Sequence, residues 1–202
     1  MNPYDITNST SVDATAGPWS SGGIRRCFNF SNFDKEDKMA GIRVVACLPA
    51  GAEENLEALL RDFLTPFEMY SGFEWREIWD RWTIRGGSDA TGFLIVPGFE
   101  DDPRLIHDFP RYDGKILPSL PGRCAGGPKG MLRVSDSWDE WNSDLLTLDG
   151  WWIERGNPVH GACVSPELCP HMRDGWRYER NPLGYLENLD SNVILVKLLC
   201  HG

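Results

Sequence analysis

Two apolar runs of strand length constrain the fold of this chain most strongly. Residues 42–48 read Ile-Arg-Val-Val-Ala-Cys-Leu and end at Pro49, and residues 192–200 read Asn-Val-Ile-Leu-Val-Lys-Leu-Leu-Cys. β-branched residues favour extended backbone, and a strand that is apolar on both faces needs cover on both sides. The pattern therefore predicts a buried strand at residues 42–48 and a central strand at residues 192–200.

An amphipathic helix is predicted over residues 52–64, directly after the first strand. Its apolar side chains recur at the spacing of one helical face. They are Leu56, Leu59, Leu60, Phe63 and Leu64. Glu53 and Glu54 suit the N-terminus, where the helix dipole favours negative charge, and Pro66 ends the helix.

Turn dipeptides between strand-like segments predict two hairpins. The first joins residues 81–85 to 91–96 through Gly86-Gly87, and the second joins 145–148 to 151–154 through Asp149-Gly150. Residues 97–129 are rich in Pro and Gly and are predicted to form a long loop, and residues 157–184 are predicted to be irregular. This order of elements predicts an α+β fold with a mainly antiparallel sheet and one or two packed helices, for which a ferredoxin-like arrangement is one solution.

Residues 42–202 are predicted to form a single domain, preceded by a tail over residues 1–41. Asn, Ser, Thr, Gly and Ala dominate residues 1–23, a composition typical of disorder or of an arm that lies on another subunit. A homo-oligomer is therefore one expectation. Within the tail, residues 24–30 alternate loosely between apolar and polar and could form a short strand.

The charge and the apolar pattern exclude several classes of protein. The formal net charge is −10, and no basic stripe is present to neutralise phosphates, which argues against nucleic acid as a partner. The first 20 residues lack the pattern of a secretory signal, and no stretch of apolar residues is long enough to span a membrane. The six cysteines are too dilute for a disulfide scaffold, so we expect a cytoplasmic protein with reduced thiols.

Four potential metal ligands lie within one short segment. His160, Cys163, Cys169 and His171 supply two imidazoles and two thiols in a Pro- and Gly-rich stretch. Zinc accepts two His and two Cys ligands in a tetrahedron, so a structural zinc site is predicted here. The spacing differs from the common Cys-x2-4-Cys motif. The alternative is a pair of buried thiols beside two surface imidazoles.

A second group of residues suits a nucleotide-like ligand. Tryptophans stack on planar rings, arginines pair with phosphates, and a glycine turn lets backbone amides approach an anion. The predicted site consists of Trp79, Trp82, Arg85, Gly86, Gly87, Trp152 and Arg155. The alternative is that the tryptophans fill the core, the arginines are solvated and the glycines serve a turn. No catalytic motif is recognised, so we expect binding rather than catalysis and predict no catalytic residue.

Three sequence blocks together resemble a known family. They are Trp-Asp-Arg-Trp-Thr-Ile-Arg-Gly-Gly at 79–87, Leu-Leu-Thr-Leu-Asp-Gly-Trp-Trp-Ile-Glu-Arg-Gly at 145–156, and Val-Ile-Leu-Val-Lys-Leu-Leu-Cys-His at 193–201. In this order they resemble a mostly uncharacterised family of bacteriophage and actinobacterial proteins. Its members read Trp-Asp-x-Tyr-x-Ile-Gly-Gly-Arg-Trp-x-Gly, then Leu-Thr-Pro-Asp-Gly-x-Trp-His-x-x-Gly, and close near Asp-Cys-His.

The chain departs from the family pattern at three polar positions. Ser88-Asp89-Ala90 stand where the family has Arg-Trp, Ile153 stands in place of its His, and Leu199 stands in place of its last Asp. The resemblance implies a phage-borne accessory protein that acts against host defence in the host cytoplasm. It suggests sequestration of a small nucleotide-like immune signal. The alternatives are an enzyme that hydrolyses such a signal and an acidic inhibitor of a host defence protein.

Overall fold

The chain folds into an α+β domain with a mainly antiparallel sheet, as the sequence predicts. The computed structural model describes residues 41–69, 72, 76–110, 114–139, 142–154, 157–165 and 167–201. The predicted tail strand at residues 24–30 lies outside the described residues. Among those described, no helix combines the length and the apolar character needed to cross a lipid bilayer.

Short strands and helices alternate along the described residues. The strands are β1 Ile42–Leu48, β2 Arg81–Ile84, β3 Phe93–Ile95, β4 Arg123–Cys124, β5 Gly126–Pro128, β6 Leu132–Arg133, β7 Asp144–Leu146, β8 Trp151–Glu154, β9 Asn157–His160 and β10 Ile194–His201. The helices are α1 Leu56–Leu64, α2 Val134–Ser137, α3 Met172–Arg180 and α4 Pro182–Asn188, with 3₁₀ turns at Ala52–Asn55, Thr65–Phe67 and Lys129–Met131.

Two sheets organise the described strands. The larger has seven strands in the order β2–β10–β1–β7–β8–β9, with β5 also pairing with β10, and the smaller has the order β4–β3–β6. β1 pairs with β7 in parallel, whereas the other pairs are antiparallel. A ferredoxin-like βαββαβ unit has four strands, so this sheet is larger than that arrangement.

The central strands β1 and β10 are buried on both faces, which confirms the prediction from their apolar runs. Val44, Ala46 and Leu48 face one hydrophobic core, and Val45 and Cys47 face the other. Successive residues of a strand point to opposite faces, so one continuous apolar run supplies both cores.

Helix α1 covers the first of these cores, and its predicted apolar stripe is confirmed. Leu60 and Leu64 are fully buried, while Leu56, Leu59 and Phe63 pack against the same core. The first turn is 3₁₀ rather than α-helical and follows Gly51, whose φ of 80° is easily adopted only by glycine. The predicted helix is therefore correct in position, with a tighter start.

The hairpin predicted around Asp149-Gly150 is confirmed. Leu145 pairs with Ile153 and Leu146 pairs with Trp152 in antiparallel register. Gly150 has φ 80°, the left-handed conformation that the tight turn requires.

The hairpin predicted around Gly86-Gly87 is wrong, because β2 and β3 lie in different sheets. The connection bends around the buried carboxylate of Asp108. That carboxylate accepts hydrogen bonds from the backbone N–H groups of Gly87, at 2.7 Å, and Ser88, at 3.3 Å. Because these two amides bind the carboxylate of Asp108, the chain turns away from β2. β3 then pairs with β4 and β6.

The prediction of irregular structure for residues 157–184 is also wrong, because β9, α3 and the start of α4 lie there. Helix α3 is strongly polar, and Gly175 in its middle lowers its intrinsic helix propensity. Tertiary packing of Gly175 against the ring of Trp151 compensates for that cost. Pro182 begins α4, and the side chain of Asn181 accepts the N–H of Gly184 as an N-cap.

Candidate metal centre

The four predicted metal ligands come together beside the edge of the larger sheet. His160 is the last residue of β9, and Cys163 follows in the turn after it. His171 stands at the N-cap of α3, where its carbonyl oxygen accepts the N–H groups of Asp174 and Gly175. The strand end and the helix start therefore place the two imidazoles on either side of the connecting loop that carries both thiols.

The separations of the ligand atoms match those of a small tetrahedral site. Nδ1 of His160 lies 3.0 Å from Sγ of Cys163 and 3.8 Å from Sγ of Cys169. Sγ of Cys163 lies 3.8 Å from Nδ1 of His171, and the four ligand atoms all lie within 4.8 Å of one another. Ordinary Zn–N and Zn–S bonds in a tetrahedron place N and S about 3.5 Å apart. The cluster can therefore hold a metal ion with small adjustments of its side chains.

A hydrogen bond of His160 determines which of its ring nitrogens presents a lone pair to the thiols. Nε2 lies 3.2 Å from the backbone oxygen of Asp149. A carbonyl oxygen can only accept, so Nε2 carries the proton and Nδ1 of the neutral ring is unprotonated. Metal-binding histidines in proteins are oriented in the same way, by donating their other N–H to a carbonyl or carboxylate.

Packing holds the protein around the cluster tightly. The ring of His160 stacks on the indole of Trp151, and Gly175 of α3 contacts the same indole. A Cβ at Gly161 would approach Cζ of Phe67 to 3.0 Å, so this position tolerates only glycine without a shift of the ring. The backbone at Gly161 therefore packs directly against Pro66 and Phe67 at the start of the loop.

Arg76 fastens the start of the metal-ligand loop from outside. Its Nη1 donates to the carbonyl oxygens of Gly161 and Cys163, the latter at 3.1 Å. The guanidinium thus holds the backbone on both sides of residue 162 and fixes the orientation of the Cys163 side chain. An arginine of this kind, remote in sequence, cannot be recognised from the ligand spacing.

The four residues of the cluster differ in their exposure to solvent. His160 and Cys169 are buried, Cys163 is half-buried and His171 is exposed. Desolvation and the adjacent Cys169 thiol raise the pKa of Cys163 above its ordinary value, while the charge of Arg76 opposes this effect. Because a metal cation favours the thiolate form, metal binding is expected to release protons from this site.

The predicted Gly86-Gly87 ligand turn binds an anion that belongs to the protein itself. Oδ1 of Asp108 accepts the N–H of Gly87, and Oδ2 accepts the N–H and hydroxyl of Ser88. Nη1 of Arg85 lies 4.0 Å from the same carboxylate and donates to the carbonyl oxygen of Phe109 at 2.8 Å. Of the predicted site, the amide of Gly87 and the guanidinium of Arg85 therefore face the buried side chain of Asp108, together with Ser88.

The tryptophans of the predicted ligand site contribute to the core. The indole of Trp79 is buried and donates to the carbonyl oxygen of Leu64 at 3.0 Å. Trp152 is fully buried, donates to Oδ2 of Asp144 at 2.8 Å and packs on Phe67. Trp82 is half-buried on β2, and Arg155 lies outside the described residues. Stacking of a ligand on these indoles stays a prediction.

Two buried ionisable groups were not singled out by the sequence reasoning. Lys197 interrupts the apolar run of β10, and this interruption is the signal that could have found it. Its ammonium group donates to the carbonyl oxygens of Thr91 and Ser137 and lies over the ring of Phe93, and burial lowers its pKa to about 8. Burial raises the pKa of Asp144 to about 7, assisted by Glu154 and Glu179 and opposed by the hydrogen bond from Trp152.

Comparison of the chain with protein-family models, with curated proteins and with solved structures found no match. The resemblance to the phage and actinobacterial family therefore stands on the sequence motifs alone.

Proposed function

We propose that this protein is a non-enzymatic binding protein whose fold is completed by one structural Zn²⁺ ion. The observation that carries the proposal is the convergence of His160, Cys163, Cys169 and His171, with all four ligand atoms within 4.8 Å. Thiolate and imidazole donors suit zinc, whereas Mg²⁺ and Ca²⁺ prefer oxygen ligands. The oriented lone pair of His160 supports the same assignment.

A structural role fits the ligand set better than a catalytic one. Four protein ligands fill a tetrahedral zinc site, whereas catalytic zinc keeps one position for water or substrate. The ion would join the end of β9 to the start of α3, because His160 and His171 stand at these two positions. Zinc bound only by the folded chain stabilises that fold by the free energy of binding.

The binding partner that we propose is a small nucleotide-like molecule. The resemblance to phage accessory proteins supports a ligand of this class, because such proteins can remove a signal used in host defence. A binding role rather than turnover is supported by the state of the Cys200 thiol in the last sequence block, because a cysteine can serve as a catalytic nucleophile only as its thiolate. Cys200 is fully buried, and burial raises the pKa of its thiol to about 12, so a reactive thiolate is disfavoured.

The metal part of the proposal is tested by elemental analysis together with native mass spectrometry of the purified chain. We expect one zinc ion per chain in the wild type. Each of the variants Cys163→Ser and Cys169→Ser should lose this zinc and should also have a lower melting temperature. Cys124→Ala is the matched control, because Cys124 is a buried thiol packed in the core rather than a member of the cluster. This control should lose stability through the cavity it leaves but keep its zinc. A wild-type chain that folds fully without metal and binds none when zinc is added would overturn the metal assignment.

The ligand part is tested by comparing native and denatured samples in the same instrument. A sequestering protein releases an intact nucleotide-like molecule after denaturation, whereas an enzyme releases products. A co-purified host protein without any small molecule would instead support the acidic-inhibitor alternative.

A further inference from the structure

One cleft on the face of the larger sheet gathers positive charge within an acidic protein. It lies over β1, β2 and β10 and has a volume of about 410 Å³. Arg43, Arg85 and Lys197 all line it, whereas Asp89 is its only acidic lining residue among the described ones. We call this cavity the basic cleft. A local excess of positive charge is unexpected in a chain whose formal net charge is −10.

The position of Lys197 in the sheet explains why this residue lines the cleft. On one side of β10, the partner strand changes from β2 to β5 at this residue. The backbone N–H of Lys197 donates to Ala125 at 2.7 Å, and its carbonyl oxygen accepts the N–H of Arg85 at 3.1 Å. The side chain therefore rises from a gap between two partner strands, on the same face as Arg43 and Val45.

Lys197 and Arg43 have no opposite charge within ion-pair distance among the described residues. Lys197 is 8% exposed, and its ammonium group donates to the neutral carbonyl oxygens of Thr91 and Ser137 and lies over the ring of Phe93. A buried charge is costly unless it is paired. An anion in the cleft would supply the missing partner and would also reach the exposed guanidinium of Arg43.

The walls of the cleft also suit an apolar or aromatic group on the ligand. Leu117 and Leu199 line it and are each 38% exposed. A volume near the low end of the usual range for small-molecule sites, roughly 300–1,000 Å³, favours a ligand the size of a mononucleotide. A ligand with an anionic group and a planar apolar body could pair with the cations and pack against the two leucines.

We propose that the basic cleft binds a small phosphate-bearing anion of mononucleotide size, with Arg43, Arg85 and Lys197 as its charged contacts. The inference is based on the proposed binding function and assigns that function a site different from the tryptophans predicted from the sequence. Arginine suits this role because its planar guanidinium can donate two parallel hydrogen bonds to a phosphate. Arg85 is shared with Asp108, so Arg43 and Lys197 carry the larger part of the expected attraction.

The test is isothermal titration calorimetry of the zinc-loaded full chain with adenosine monophosphate as the probe. Adenosine and inorganic phosphate are the two partial probes, which separate recognition of the base from recognition of the phosphate. We expect adenosine monophosphate to bind, adenosine to bind at least about tenfold more weakly, and affinity to fall as salt rises. Arg43→Ala should weaken binding by about tenfold, which corresponds to the loss of one charged contact.

Arg61→Ala is the matched control, because Arg61 is an exposed arginine on α1 whose only ion pair is with the exposed Glu57 among the described residues. Its affinity should stay within about twofold of the wild type, since exposed pairs of this kind contribute little. Arg43 is itself exposed, so Arg43→Ala is expected to fold, and its melting temperature verifies this. Equal binding by the wild type and Arg43→Ala would overturn the assignment of the cleft but leave the binding function standing. Absence of binding by adenosine monophosphate and inorganic phosphate at millimolar concentration would overturn the proposed anion site and weaken the nucleotide-binding function with it.

Discussion

The imidazole of His160 stacks on the indole of Trp151, with ring centroids 4.5 Å apart and planes inclined by 21°. These two residues are also register partners on β9 and β8. Trp151 is fully buried, so its ring contacts the core on one side and the imidazole of His160 on the other. The stability of the core and the geometry of the candidate metal centre are therefore coupled through one ring contact.

A comparison of substitutions at Trp151 and Trp152 should distinguish an effect on zinc affinity from a general loss of stability. Trp151→Phe and Trp152→Phe both shorten a fully buried indole, so both should lower the free energy of unfolding, by roughly 1–3 kcal/mol. Only Trp151→Phe replaces the indole that stacks on His160 by a smaller ring, and loss of a supporting contact of a ligand typically weakens metal affinity by about 10–100-fold. Competition with a zinc chelator measures this affinity. Equal zinc affinities in the two variants would show that the stacking does not support the site.

Gly175 is expected to tolerate no side chain. A Cβ at this position would lie 2.7 Å from Cε3 of Trp151, well inside van der Waals contact. Although alanine favours helix, Gly175→Ala should destabilise the protein by about 1–3 kcal/mol or more and should also weaken zinc binding through the displaced indole. Arg173→Ala, at an exposed position of the same helix, is the control and should leave both quantities nearly unchanged. Chemical unfolding measures the first quantity, and a stabilised Gly175→Ala variant would contradict the packing of α3 on β8.

Asp108 is expected to matter for folding more than its loop position suggests. Its carboxylate accepts three hydrogen bonds, from Gly87 and Ser88, and faces Arg85. Asp108→Asn keeps the shape but replaces one acceptor oxygen with a donor, so at least one buried N–H or hydroxyl loses its partner. We expect a loss of about 1–3 kcal/mol in the free energy of unfolding.

The control for this substitution is Asp136→Asn, at an exposed residue whose pair with Arg133 spans 3.9 Å. Exposed pairs contribute little, so this variant should unfold with almost the same midpoint as the wild type. Identical losses in the two variants would show that the turn does not depend on the buried carboxylate.

Asp144 predicts a specific pH dependence of stability. Burial raises its pKa from 3.8 to about 7, so the folded protein binds more protons than the unfolded chain between these values. Its contribution to stability is therefore complete below pH 3.8 and is lost as the pH rises through 7, at a slope of at most about 1.4 kcal/mol per pH unit. Asp144→Asn stays neutral and can still accept the hydrogen bond from Trp152. Urea unfolding at several pH values should show a flatter curve for this variant, and parallel curves would contradict the raised pKa.

The sequence predicts those elements whose structure depends only on residues that are close together in the chain. β1 and β10 are apolar on both faces because both faces are covered, and the stripe of α1 matches the core that it contacts. The Asp149-Gly150 turn has a conformation that its own residues favour. In each case the physical requirement is contained within about a dozen neighbouring residues.

The elements that sequence reasoning misses depend on partners far along the chain. α3 forms because Gly175 meets Trp151, and the turn after β2 is directed by Asp108, neither of which a local pattern contains. The metal ligands can be recognised by residue type, because two His and two Cys in a short segment are unusual. The support from Arg76 and Trp151 follows only from the assembled fold. The same is true of the position of Lys197, where the partner strand of β10 changes from β2 to β5.

The pairing of β1 with β10 also has a consequence for how the protein folds. Ile42 pairs with Cys200, so the centre of the sheet joins segments separated by most of the domain. Contacts of such long range require closure of a large loop and slow the search for the native state. During synthesis, β1 emerges long before its neighbour exists, with apolar residues on both faces and unpaired edges. Until β10 has been made, this strand can associate with other chains, so we expect refolding yields to fall as the protein concentration rises.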